Sequence, residues 1–155
     1  MICRQIRESL THFIAVAAIL LPNKTLWAET IVAPDVHVQH DGVKLDAYSR
    51  NGQITFCFGA ESGVRIASEY GIEFKVPRGQ TRLWNEALPK LVAGKQPYFD
   101  LPVRIDLRTR GAPVERQVSI GLGACVSAAY CTPVTFEIAI PAANNVAGNN
   151  PTCAN

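Results

Sequence analysis

The chain has 155 residues, 48% of them hydrophobic, with 15 lysines and arginines against 13 aspartates and glutamates and a formal net charge of +2. That length supports one globular domain with its own core, and so balanced a charge argues against a nucleic-acid or anionic-membrane binder. No phosphate loop, Gly-x-Ser-x-Gly, His-Glu-x-x-His or acidic calcium loop is present, so hydrolase chemistry has no support.

The chain opens on a leader. Arg4 and Arg7 precede the apolar run Phe13 to Leu21, and Ala28 ends a cleavage region in which Leu26 stands where a small residue is preferred. This is the order of a secretory signal peptide, and the run is shorter than a membrane span, so cleavage after Ala28 is expected over an uncleaved anchor. Removing residues 1–28 leaves 12 basic and 12 acidic residues, so the positive charge comes from the leader. No later stretch reaches roughly 18 apolar residues. The expectation is a soluble exported domain in a disulfide-permissive compartment, read as a bacterial periplasm.

Residues 29–141 are expected to form the domain. Glu29 to Gly42 reads as a lead-in without a period, carrying His37 and His40. Val43 to Tyr48 alternates apolar and polar residues and stops at Asn51-Gly52, after which Gln53 to Phe58 places Ile54, Phe56 and Phe58 on one face. Two such runs around Asn-Gly predict a hairpin. Ile72 to Val76 is a further strand, stopped by Pro77. Residues 78–100 hold Trp84, Pro89, Gly94, Pro97 and Tyr98-Phe99, and their breakers favour a long ordered loop over a helical turn at Leu83 to Leu91. Strands resume at Leu101 to Arg108, Glu115 to Leu122 and Thr135 to Ile140, and residues 142–155 read as a flexible tail. Short strands, frequent turn residues and no long helical period predict an all-β fold, an antiparallel β-sandwich.

Cys3 leaves with the leader, and Cys57, Cys125, Cys131 and Cys153 allow three full pairings. Cys125 and Cys131 stand on either side of Val126-Ser127-Ala128-Ala129-Tyr130, and each adjoins a strand-like run. Opposed on an antiparallel hairpin, they lie roughly 4.5–5.5 Å apart at Cα, within disulfide reach. So short a loop takes little entropy from the unfolded chain, which suits a bond that is exchanged. Cys57 either ties the tail to an early strand through Cys153 or stays a buried thiol.

A strand ending at Pro77, an irregular loop, the approach Leu101-Pro102-Val103 and the Cys-x5-Cys-x-Pro run from Cys125 to Pro133 together resemble the N-terminal periplasmic domain of the DsbD family, the thiol:disulfide interchange proteins. The likeness covers roughly Val43 to Pro141. It implies an immunoglobulin-like sandwich whose hairpin cysteines alternate between dithiol and disulfide. Electrons would come from a membrane electron-transfer protein and its thioredoxin-like partner. They would pass to thioredoxin-fold periplasmic proteins such as disulfide isomerases or cytochrome c maturation factors, with no small-molecule cofactor. By position, Cys131 forms the mixed disulfide and Cys125 is the resolving thiol. A shielding cap loop is implied near Leu83 to Tyr98, where Trp84, Glu86, Tyr98 and Phe99 are the candidates and the family's acidic-aromatic motif is not found. Members continue into membrane and thioredoxin-like domains, whereas this chain stops after a short tail, so its reducing power is expected from another protein.

Tyr130 and Pro133 flank the pair, while Gly121, Gly123, Ala124, Ala128 and Ala129 keep bulk away from it. No arginine, lysine or histidine adjoins either cysteine in sequence, so the domain reads as a relay whose partner brings the activated thiol. Two other classes compete with this reading. One is a non-catalytic immunoglobulin-like binding or adaptor domain with a structural disulfide. The other is a periplasmic copper-binding protein using His37, His40 and thiolates. The mature chain has no methionine, and a spacing of three sets two imidazoles on opposite faces of a strand, so no metal site is assigned.

Overall fold

The computed structural model describes residues 32–91, 96–110, 114–142 and 151–153. The expected signal peptide lies outside them, and of the expected tail only residue 142 and Pro151 to Cys153 fall within them.

Strands β1 (Val36–His40), β2 (Val43–Arg50), β3 (Gln53–Ala60) and β7 (Val103–Arg108) form an antiparallel sheet in the order β1-β2-β3-β7. Two turns set its register. Asn51 and Gly52 take φ of 49° and 74°, so Arg50 faces Gln53 across a two-residue loop, as the sequence predicts. Asp41 and Gly42 repeat that geometry at 48° and 74° and pair His40 with Val43. Both residues of such a turn need positive φ, which Asn-Gly and Asp-Gly supply. The expected lead-in thus contains an edge strand. Only Val36 and Val38 of β1 touch the core, which is why its alternation is faint.

The second sheet is built on the two longest strands, β8 (Arg116–Ser127) and β9 (Tyr130–Ile140). β9 covers one edge of β8 along its length. Two short strands share the other edge in succession: β4 (Arg65–Ala67) opposite Gly123 to Cys125, and β5 (Ile72–Lys75) opposite Ser119 to Gly121. β6 (Lys90–Leu91) adds to β5. The loop after Pro77 therefore contains a two-residue strand, and the one helical turn among its described residues is a 3-10 turn at Thr81–Leu83, which reaches only the first residue of the span considered from sequence.

Strand alternation builds the core. Leu45, Ala47, Ile54, Phe56, Phe58, Ile105 and Leu107 point inward from the first sheet and Ile66, Ile72, Phe74, Val118, Ile120, Leu122, Val134, Phe136 and Ile138 from the second, all buried. Phe74 bridges the layers edge-on, 5.2 Å from Phe56 and 6.3 Å from Phe58 between ring centroids. Each such ring removed from water is worth about 1.5–3 kcal/mol, with a further contribution from the aromatic geometry. The result is an all-β, antiparallel β-sandwich.

The outward row of the first sheet is unusual in being closed at Thr55 and Cys57, 2% and 5% exposed. Cys57 is bonded to Cys153, 96 residues away, with Cα atoms 5.4 Å apart. The Arg104 guanidinium donates to the Pro151 carbonyl at 2.6 Å beside it. Of the two fates open to Cys57 from sequence, the chain takes the tail bridge.

Candidate functional site

The β8–β9 ladder carries Val118, Ile120, Leu122 and Ala124 into the core and turns Ser119, Gly121, Gly123 and Cys125 outward. Cys125 and Cys131 are direct partners in that ladder and are joined by a disulfide, with Cα atoms 4.0 Å apart. Such a close approach is that of a non-hydrogen-bonded pair, where side chains stand nearest. The bridge therefore lies on the outer face of the second sheet, near the hairpin tip.

The tip is shaped by a bulge. The register shifts between Cys125 and Ser127, so Val126 is an extra residue, and Ser127 pairs with Tyr130 around Ala128-Ala129. Val126 and Tyr130 are each 62% exposed. A bulge bends the strand and re-aims side chains, and here it ends the core-facing alternation at Ala124. Pro133 pairs with Gly123, two residues from the disulfide and hence in the same non-hydrogen-bonded class. Its missing N–H belongs on the outer side of β9, where no strand pairs among the described residues, so proline breaks no ladder bond there and blunts that edge.

The two cysteines differ in access. Cys125 is 1% exposed, whereas Cys131 is half-buried and lines a hollow of about 340 Å³ with Tyr70, Glu73, Gly121, Gly123 and Pro133. Tyr70 sits in a tight turn in which the Gly71 N–H donates to the Ser68 carbonyl at 3.0 Å. That turn is moored by Ser68, whose N–H donates to the Pro97 carbonyl at 3.0 Å and whose hydroxyl donates to the Gln96 carbonyl. The ring lies over Gly123, where a Cβ would come within 2.8 Å of Tyr70 Cδ2. Its phenol is raised above its usual pKa by a hydrogen bond with Glu69 and by that carboxylate's charge.

Arg65 is the ladder partner of Cys125 from β4. Directly opposed residues share a face, so a cation neighbours the buried cysteine although none adjoins it in sequence. The guanidinium carbon stands 5.1 Å from the Tyr98 ring centroid. Tyr98 in turn bridges Ala67, and the Phe99 N–H donates to the Ile66 carbonyl at 3.0 Å. Residues 96–99 thus run along the free edge of β4. Tyr98 shares the outer face with the disulfide, and Phe99 packs against the core.

The other two loop candidates lie elsewhere. Trp84 is 4% exposed within the core and bridges Thr109, and Glu86 accepts from the Arg108 N–H at 2.8 Å. Both lie beside the end of β7, near the Asn51-Gly52 turn, because Arg108 pairs with Gln53. The disulfide adjoins the opposite end, where Val126, Tyr130 and Thr132 share a hollow with Asp41, Gly42, Glu61 and Val64. The eight residues of β2, Val43 to Arg50, separate these ends by roughly 20 Å.

Sequence reasoning missed Tyr70 and Arg65. The signal for the first is Glu69-Tyr70-Gly71, an acidic and an aromatic residue at a glycine turn before β5, ahead of the segment in which the cap is expected. Arg65 leaves no such signal, since only the β4–β8 register brings it to Cys125.

His37 contacts an Asp46 carboxylate oxygen at 2.6 Å and His40 an Asp41 oxygen at 3.0 Å, both exposed on β1 in the other sheet. Among the described residues no group of three or more histidine, cysteine or acidic side chains is placed to hold a metal ion. No helix among them is long and apolar enough to cross a membrane. Two disulfides in one domain indicate an oxidising, extracytoplasmic setting. Comparison with protein-family models, with curated proteins and with solved structures finds no match to this chain.

Proposed function

We propose that this domain is a periplasmic thiol-disulfide exchange module that relays reducing equivalents between thioredoxin-fold partners and a membrane electron-transfer protein through Cys125 and Cys131. The observation that carries the reading is the asymmetry of the bridge: Cys125 is sealed, whereas Cys131 is half-buried and lines a hollow beside an exposed hairpin tip. The resemblance of Cys125 to Pro133 to the hairpin of the DsbD family supports it, and Tyr70 over the adjoining row of the ladder supplies an aromatic cover of the kind that family uses.

The chemistry needs an accessible sulfur, an incoming thiolate in line with the S–S bond and a second thiol to resolve the mixed disulfide. A partner thiolate bonds to Cys131 Sγ, the bond to Cys125 breaks, and its electron pair leaves on Cys125 Sγ. The partner's second thiolate then attacks its own sulfur in the mixed disulfide and releases Cys131. The partner is oxidised to a disulfide and this domain is reduced to a dithiol, with two electrons transferred and two protons taken up by the thiolates from solvent. Run in reverse, Cys131 attacks a partner disulfide and Cys125 resolves it.

The test is trapping. With Cys125→Ala, Cys131 should form a stable mixed disulfide with a purified thioredoxin-fold oxidoreductase, and adding Cys131→Ser should abolish it. A reduction potential well below about −300 mV, the range of bonds that only hold folds together, would make turnover implausible and sink the reading. Binding that survives replacement of both cysteines would instead favour an adaptor with a structural bridge.

A further inference from the structure

We propose that Arg65, held over Tyr98, is the countercharge that stabilises the Cys125 thiolate as the bridge opens; the proposal rests on the exchange reading and adds to it the residue that assists the departing sulfur. In the step above, the electron pair of the broken bond leaves on Cys125 Sγ. That residue is 1% exposed, so water solvates the new charge poorly, and burial disfavours a thiolate.

The surroundings make a cation more necessary. The hollows around Cys131, the hairpin tip and Arg65 are lined by the acids Glu73, Asp41, Glu61 and Asp100, and Glu69 sits in the Tyr70 turn. Each of these carboxylates opposes a thiolate. Arg65 is the only cation among the described residues lining those three hollows. Its Cβ faces that of Cys125 across the ladder at roughly 5 Å. Its guanidinium rests 5.1 Å from the centroid of a ring one strand further out. Arg65 is an exposed residue, and the contact with the aromatic face restrains its guanidinium on that side of the sheet while arginine keeps its charge throughout the pH range of exchange. Tyr98, expected from sequence to shield the sulfurs, serves here as the platform for the charge.

Cys131→Ser leaves Cys125 as the one thiol of the site with the Cys57–Cys153 bridge intact, and its ionisation is read from ultraviolet thiolate absorbance against pH. Adding Arg65→Gln should lower the thiolate fraction at neutral pH about threefold to tenfold, and Arg65→Lys in the same background should restore most of it. In the otherwise unchanged protein, Arg65→Gln should slow reduction of the bridge by dithiothreitol by a similar factor. An unchanged Cys125 titration in Arg65→Gln overturns the proposal. So does a titration that shifts equally in the glutamine and lysine variants, since that marks a packing role. The exchange reading fails separately, when Cys125→Ala traps no protein partner, and that result leaves the Cys125 titration unaffected.

Discussion

Tyr70 occupies the space above Gly123 that any other residue would fill: a Cβ there would stand 2.8 Å from Cδ2 of the ring. The ring is 57% exposed, so it has room to swing away. Gly123→Ala should therefore tilt Tyr70 off the sheet and uncover the hollow that Cys131 lines. Reduction of Cys125–Cys131 by a small thiol should become severalfold faster, and Tyr70→Ala should do the same. Rates equal to the parent protein in both variants would show that the ring shields nothing.

The two bridges should differ in what they contribute to stability. Chain-entropy arguments give about 2 kcal/mol for a bond between residues six apart and about 5 kcal/mol for one spanning 96. Replacing Cys57 and Cys153 by alanine should thus lower the unfolding free energy by clearly more than replacing Cys125 and Cys131. Denaturant titration of the two double variants checks this, and the opposite ranking would assign the structural role to the hairpin bond.

Gly42 and Gly52 share a φ of 74° but not a neighbour. A Cβ on Gly52 meets nothing, whereas one on Gly42 would come within 2.7 Å of Val64 Cγ2. Gly52→Ala should cost about 1–2 kcal/mol for the left-handed backbone alone. Gly42→Ala should cost more, the excess reporting the Val64 contact. Equal midpoint shifts in urea would mean that Val64 gives way freely.

Asp106 gives stability a sign on the acid side. Burial pushes its carboxyl up, but hydrogen bonds from Arg104 and from the Thr55 hydroxyl, the latter at 2.6 Å, outweigh this and hold it below its usual range. A group lowered in the folded state contributes above its unfolded pKa of about 3.9, and that contribution is lost as pH falls through the lower folded value. Urea midpoints between about pH 2 and about pH 6 should fall less steeply in Asp106→Asn than in the parent. Parallel curves would remove Asp106 from the acid response.

The features legible in the chain are those with a strong local code. Asn51-Gly52 fixed one hairpin, the alternation of Ile54, Phe56 and Phe58 fixed a core face, and Cys125 and Cys131 straddling a small-residue turn fixed the bridge. Asp41-Gly42 carries the same turn chemistry, yet β1 escaped because an edge strand with one partly covered face has little alternation to show. β4 is three residues long, below the length at which a period can be seen, and with it went Arg65 and the mooring of the Tyr70 turn. Trp84 and Glu86 stand in a long irregular segment, and sequence does not say toward which end of a sandwich such a segment folds.

The bond from Cys57 to Cys153 turns most of the domain into a covalent ring, with the smaller ring of Cys125 and Cys131 nested inside it. A protease that cuts the backbone once between residues 57 and 153 does not divide the molecule, because the fragments stay joined through sulfur. Protein nicked once there keeps its apparent mass until a reductant is added, and releasing a fragment from the ring takes either a second cut or reduction of the bond.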